Sequence, residues 1–240
     1  MRMFKFMGAL IVVLAFTMIG VATASAAEAL WQWLPGTVGE TFKGELDEGK
    51  AILQETEEDG KDGKIKIECA TLSILLEGSE LLKEGSTNGK DATLALAVLH
   101  FTGCTTGGLP VHSPGDEAGV ILSHVEIHNC LIEWLKTAKL DGVLILPLEL
   151  TLEVGATVVT TVLDKKGTGF VAPIKKIGVS QYLIDARQTG GLQEVKLCEG
   201  GEEESLLTLL AGAKKENKAA EEIKALIKFD KTFDKEEVLS

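Results

Sequence analysis

Cys104, His112, His124, His128 and Cys130 fall in one short stretch of the chain, and thiolate and imidazole are the usual ligands of zinc. His112, His124 and His128 are therefore the candidate metal ligands. Their spacing opposes a local site. Val125 and Ile127 alternate with His124, Glu126 and His128, a period of two that marks a strand. On a strand His124 and His128 share a face but stand about 13 Å apart, too far to hold one ion. The expectation is a polar strand face and no bound metal.

Nucleophilic catalysis needs a serine or cysteine beside a histidine oriented by an acid. The nucleophile-elbow pattern G-x-S-x-G is absent, and His100, inside an apolar run, reads as a core or edge histidine. Glu149 and Glu153 would project from one strand face about 13 Å apart, wider than the roughly 5 to 9.5 Å separating the carboxyl groups of glycoside hydrolases. The acidic runs Glu55 to Asp62 and Glu199 to Glu204 lack calcium-loop spacing and read as solvated turns. Gly85-Ser86-Thr87-Asn88-Gly89-Lys90 lacks the spacing of a phosphate loop and reads as a hairpin turn. No catalytic, cofactor-binding or metal site is expected.

Positioning these residues is the work of strands. Leu148, Leu150, Leu152 and Val154 alternate with Pro147, Glu149, Thr151 and Glu153, burying one face of an extended segment. Similar patterns predict strands near residues 64–76, 92–101, 119–131, 156–163, 180–187 and 192–197. Asp59-Gly60, Asp62-Gly63, Asn88-Gly89, Asp141-Gly142, Lys166-Gly167 and Gly190-Gly191 supply turn residues between them. The gaps are too short for helical crossovers. The expected fold is all-β and mainly antiparallel, a β-sandwich or barrel-like single domain. Trp31 to Leu34 reads as a helical turn or a strap. Residues from Lys214 read as a short helix or loop before a final strand over 224–233.

The chain has 240 residues and a formal charge of -12, with 25% charged and 45% hydrophobic side chains. Such acidity repels phosphate, so nucleic acid is not an expected partner. Arg2 and Lys5 precede an apolar run from Met7 to Ala22 and the small residues Ala24-Ser25-Ala26. That is a secretory signal peptide pattern, and about 16 apolar residues fall short of a stable membrane span. Cleavage before Ala27, removing Arg2 and Lys5 and no acid, would take the charge from -12 to -14. The expected division is a signal peptide helix over 1–26, an N-terminal segment with a first hairpin over 27–63, and the core domain over 64–240. Stable membrane insertion after cleavage is not expected, and the mature chain is expected to be secreted or held in the cell envelope.

Cys69, Cys104, Cys130 and Cys198 are an even set in an exported chain, which favours disulfides in one of three pairings. Pairing Cys104 with Cys130 and Cys69 with Cys198 nests a short loop inside a long one, and is the expected arrangement.

Phe101-Thr102-Gly103-Cys104, Ser113-Pro114-Gly115 followed by Gly119-Val120-Ile121, Val143 to Pro147, Phe170-Val171-Ala172-Pro173 and Gly191-Leu192-Gln193 occur in that order. Together they resemble a group of actinobacterial secreted proteins of uncharacterised function, in which a signal peptide precedes one β-rich domain. The resemblance covers roughly residues 64 to 233 and implies a fold and a compartment, not an activity. In that group a cysteine often stands just before the Ser-Pro-Gly, where this chain has His112, and the departure makes Cys130 a substitute partner for Cys104. The expected function is an exported non-catalytic β module with a structural or binding role at or outside the cell envelope. The alternative is a secreted hydrolase or carbohydrate-active protein with a site built from loops.

Overall fold

The computed structural model describes residues 39, 41–56, 62–82, 94–134, 138–164, 169–178, 181–195 and 206–229. Every regular element in them is a strand. One group is β1 (Phe42–Leu46), β4 (Thr71–Leu82), β5 (Leu94–Thr102), β8 (Val120–Trp134), β9 (Ala138–Pro147), β12 (Phe170–Gly178), β13 (Gln181–Ala186) and β17 (Asn217–Phe229). The second group is β2 (Ala51–Thr56), β3 (Asp62–Cys69), β6 (Thr105–Thr106), β7 (Leu109–Pro110), β10 (Leu150–Val154), β11 (Thr157–Val162) and β16 (Leu206–Leu210). A small hairpin, β14 (Gln188–Thr189) with β15 (Leu192–Gln193), stands apart.

The first group closes on itself. The order β1-β4-β5-β8-β9-β12-β13-β17 is a continuous antiparallel ladder, and β17 then pairs with β1 from Phe42 opposite Phe229 to Leu46 opposite Ala225. An eight-strand barrel results, so these strands leave no unpaired edge along the ring. Alternation fills it. On β8, Ile121, Val125 and Ile127 are buried while His124 lies outside, and on β5 Ala95, Ala97, Leu99 and Phe101 take the inward positions. Phe42 and Phe229 pack with ring centroids 5.7 Å apart, and Tyr182 meets Phe229 edge-on at 5.8 Å. A cavity of about 20 Å³ remains among Leu72, Leu99, Val125, Ile145, Phe170 and Ile184, whereas ligand pockets measure about 300 to 1,000 Å³.

β17 belongs to two sheets. Its second half, from Ile223, pairs with β13 and β1, while its first half pairs with β2 through Lys218 to Glu222 and with β16 through Asn217 to Ala219. The second sheet therefore runs β7-β6-β3-β2-β17-β16-β11-β10. Its two ends meet where His112 and Glu153 exchange backbone hydrogen bonds of 3.0 and 2.9 Å.

The all-β, antiparallel expectation holds, with the barrel as its form. Several boundaries differ. The segment expected as one strand over 64–76 is two, broken at Ala70, whose amide donates to the Thr102 carbonyl. The alternation through Leu148 spans another break, since the Leu148 amide donates to the His124 carbonyl as the chain passes from the barrel to the second sheet. Asp141-Gly142 and Asp62-Gly63 lie within β9 and β3, because ladder partners hold these residues extended. Residues 214–216 are the loop alternative rather than a helix, and the last strand starts earlier than expected; β17 begins at Asn217, where β16 and β2 supply partners on both edges. The boundary expected at residue 63 falls inside β3, and β1 and β2 are integral to the two sheets. Residues 1–26, expected as a signal peptide, Trp31 to Leu34, residues 85–90, Lys166-Gly167, residues 199–204 and Cys198 lie outside the described residues.

The disulfide expectation is corrected. Cys69 and Cys104 are bonded, with sulfurs 2.14 Å apart, which replaces both Cys104 with Cys130 and Cys69 with Cys198. Register explains the choice. Thr71 lies opposite Thr102 on neighbouring strands, so the residues just outside that pair are brought together where β3 leads to β4 and β5 leads to β6.

Candidate functional site

The middle of β17 is where its neighbours change, and strand alternation there sends successive side chains to opposite faces. Glu222 and Lys224 line an outer groove of about 500 Å³, with Glu48 and Lys50 from the β1–β2 turn and Asp185, Arg187 and Glu194 from the β13–β15 segment. Glu221 and Ile223 line a smaller inner cavity.

The groove is a mixed-charge surface. Arg187 donates to Asp185 through Nε at 3.0 and 3.1 Å and through Nη2 at 2.5 Å. That hydrogen bonding raises the Arg187 pKa, with added attraction from Asp185, Glu194 and Glu222. Lys224 bonds to Glu48 and lies 3.3 Å from Asp47, and its pKa is raised first by the Glu48 contact. Lys50 reaches out of the groove to Glu68 at 2.9 Å, and Lys66 holds the other Glu68 oxygen at 2.8 Å. Those two lysine hydrogen bonds hold the Glu68 pKa down at about 2. The cations of the groove are thus engaged by neighbouring carboxylates. Among the described residues no histidine, serine or cysteine lines it.

Below β17 lie two buried acids of different kinds. Glu55 is 1% exposed and accepts hydrogen bonds from the hydroxyls of Thr160 at 2.9 Å and Thr208 at 2.8 Å, with Asn217 Nδ2 at 3.5 Å. Glu221 has no such company. Its Oε2 is fully buried without a hydrogen-bond partner, and burial alone pushes its pKa up to about 8.

A strap formed by β14, Gly190, Gly191 and β15 covers this region. Gly190 and Gly191 have φ of 57° and 77°, and a Cβ on Gly191 would meet Thr56 Oγ1 at 2.2 Å and the Glu55 carbonyl at 2.6 Å. Only glycine allows that approach. Thr56 Oγ1 donates to the Gly190 carbonyl at 2.8 Å, while Gln193 donates to the Arg187 carbonyl at 2.9 Å and accepts from the Glu221 amide at 3.3 Å.

The residues singled out from sequence are dispersed. His124 is exposed on the outer face of β8, and His128, on the same strand, lies 3.5 Å from Glu126. His112 sits after β7 at the seam with Glu153, its Nδ1 buried without a hydrogen-bond partner. Among the described residues no three His, Cys, Asp or Glu side chains gather closely enough to hold a metal ion, and no helix is long and apolar enough to cross a membrane. His100 is half-buried on β5 between Ser73 and Leu122. Glu149 falls between β9 and β10, so it does not share a strand with Glu153. Ser113 of the Ser-Pro-Gly motif accepts from the Leu122 amide at 3.0 Å, making that motif a structural turn.

Glu55 was expected in a solvated turn and is instead buried. The reason is a register shift between Gln54 and Thr56 in the β2–β3 ladder, which re-aims side chains and leaves Gln54, Glu55 and Thr56 all buried. Glu221 carried a weaker signal, an acid followed by apolar alternation at Ile223, Ala225 and Ile227.

The chain matches no known family model, no curated protein and no solved structure. Of the short sequence motifs, Gly191-Leu192-Gln193 is part of the strap and Phe170-Val171-Ala172 is buried barrel wall.

Proposed function

We propose that this chain is an exported, non-catalytic β-barrel module that acts at or outside the cell envelope by binding or scaffolding. The observation that carries the reading is the groove over β17. It is large enough for a ligand, yet its lining ties Arg187 to Asp185 and Lys224 to Glu48 and holds, among the described residues, no nucleophile or histidine. The filled barrel supports the same reading, because its lumen has no room for a substrate. A bonded Cys69–Cys104 pair is compatible with an oxidising compartment.

Fractionation of producing cells, with intact mass of the exported form, tests the compartment. A chain beginning at Ala27 in the medium or envelope fraction is expected, and a full-length cytoplasmic chain would refute export. A second reading, a secreted hydrolase or carbohydrate-active protein, is favoured by Asp185, Glu194 and Glu222 lying around Arg187 in the groove. Turnover of polysaccharide or ester substrates that is abolished by Glu222→Gln would replace the module reading with that one. No turnover by the wild-type chain is expected.

A further inference from the structure

Glu221 is an expensive residue where it stands, because a carboxyl removed from water without a partner is normally found only where its protonation state has been shifted. The residue is half-buried as a whole, but its Oε2 is fully buried and unpartnered. The cavity it faces measures about 40 Å³, against roughly 10 to 15 Å³ required per water. From β2, β3, β5, β8, β10 and β11 this cavity receives Leu53, Ile67, Phe101, Ser123, Leu152 and Val162. Cys69, also in the lining, is consumed by its disulfide. No other lining residue titrates, and Glu222 and Lys224 face the opposite side of the strand. Among the described lining residues nothing charged stands ready to stabilise the anion.

The position matters as much as the burial. Glu221 lies opposite Leu53 in the β17–β2 ladder, two residues before β17 enters the barrel at Ile223, and its amide is bonded to Gln193 of the strap. We propose that Glu221 is a proton-operated latch at the junction of the two sheets. Protonated, its carboxyl rests neutral in the cavity, and the strap stays bonded to β17. Ionised, it draws solvent into the cavity, and Gln193 releases the Glu221 amide. This inference is independent of the groove's function.

The sign of the pH dependence follows from linkage. The unfolded carboxyl titrates near 4.5 and the folded one near 8, so between those values the folded chain binds more protons. The latch stabilises fully below pH 4.5, loses its contribution as the pH rises toward 8, and changes no further above it. Urea unfolding of the wild-type chain and of Glu221→Gln, from pH 5 to 9, isolates this from the other acids. Relative to the variant, the wild-type folding constant is expected to fall by up to tenfold per pH unit and to level off near pH 8. The ¹³C resonance of the Glu221 carboxyl, followed in the wild-type chain, decides the matter even where the variant fails to fold. A midpoint near 4.5 overturns the proposal. A midpoint near 8 with faster amide exchange at Glu221 and residues 188–193 above it supports the latch, whereas a midpoint near 8 with unchanged exchange there overturns it.

Discussion

At the scale of single residues, the two glycines most easily compared are Gly191 and Gly155. Both have positive φ, at 77° and 61°, but a Cβ would collide with Thr56 and Glu55 at Gly191 and meet nothing within 4 Å at Gly155. Gly155→Ala is therefore expected to cost about 1 kcal/mol, from backbone strain alone. Gly191→Ala adds displacement of the strap and should cost about 3 kcal/mol in urea denaturation. Equal costs would mean that the strap moves aside freely. Glu55 offers a second measurement. Glu55→Leu removes the acceptor of Thr160 and Thr208, leaving buried hydroxyls to find other partners, and is expected to cost about 3 kcal/mol. Adding Thr160→Val and Thr208→Val should restore part of that loss, because the stranded donors go with it. The burial of Glu55 was not legible in the sequence, and that of Glu221 only through the apolar alternation that follows it. Burial at Glu55 follows from the ladder irregularity beside it, and burial at Glu221 follows from which sheet covers that point of β17.

At the scale of elements, alternation was a good guide to where strands lie and a poor guide to where they end. β5, β8, β11 and β13 stand close to the predicted segments because each pairs along most of its length within one sheet. The breaks at Ala70 and Leu148, and the strand start misplaced at Lys224, are points where the chain exchanges one sheet for another while staying extended. Local pattern is blind to such an exchange, because the apolar period continues through it. The cysteine pairing was illegible for the same reason, since it depends on which strands are neighbours. The bond ties the β3–β4 passage to the β5–β6 passage, closing a separation of 35 residues. A loop of that length corresponds to about 4 kcal/mol in the chain-entropy model, so Cys69→Ala with Cys104→Ala is expected to lower stability by about 2 to 4 kcal/mol. Peptide mapping under non-reducing conditions should recover the Cys69 and Cys104 peptides joined. Recovery of Cys69 joined to Cys198 would contradict the observed register.

At the scale of the whole molecule, the consequence of β17 is cooperativity. Its two halves are paired into different sheets, so neither sheet can lose the strand without exposing a row of hydrogen-bonding groups in the other. The barrel also closes between Phe42 and Phe229, near opposite ends of the described chain, and the second sheet closes between His112 and Glu153. Long-range closures of this kind reward the chain only after most of it is ordered. The molecule should therefore unfold in one transition. Two substitutions make that testable, one in each sheet: Ile227→Ala, at a side chain with 0% exposure in the barrel, and Leu152→Ala, at 1% in the second sheet. Each is expected to cost about 2 to 5 kcal/mol through the cavity it leaves. If β17 couples the sheets, each variant shifts a single transition, and calorimetry and circular dichroism report the same midpoint. A second transition in Leu152→Ala, with the barrel melting at its original temperature, would show that the sheets are held separately and that β17 is merely shared. Refolding gives the kinetic counterpart: with the disulfide intact, closure of the barrel between its distant strands should be slow, on the order of a second. Recovery of the full β signal within a millisecond would place the rate-limiting step elsewhere than in this closure.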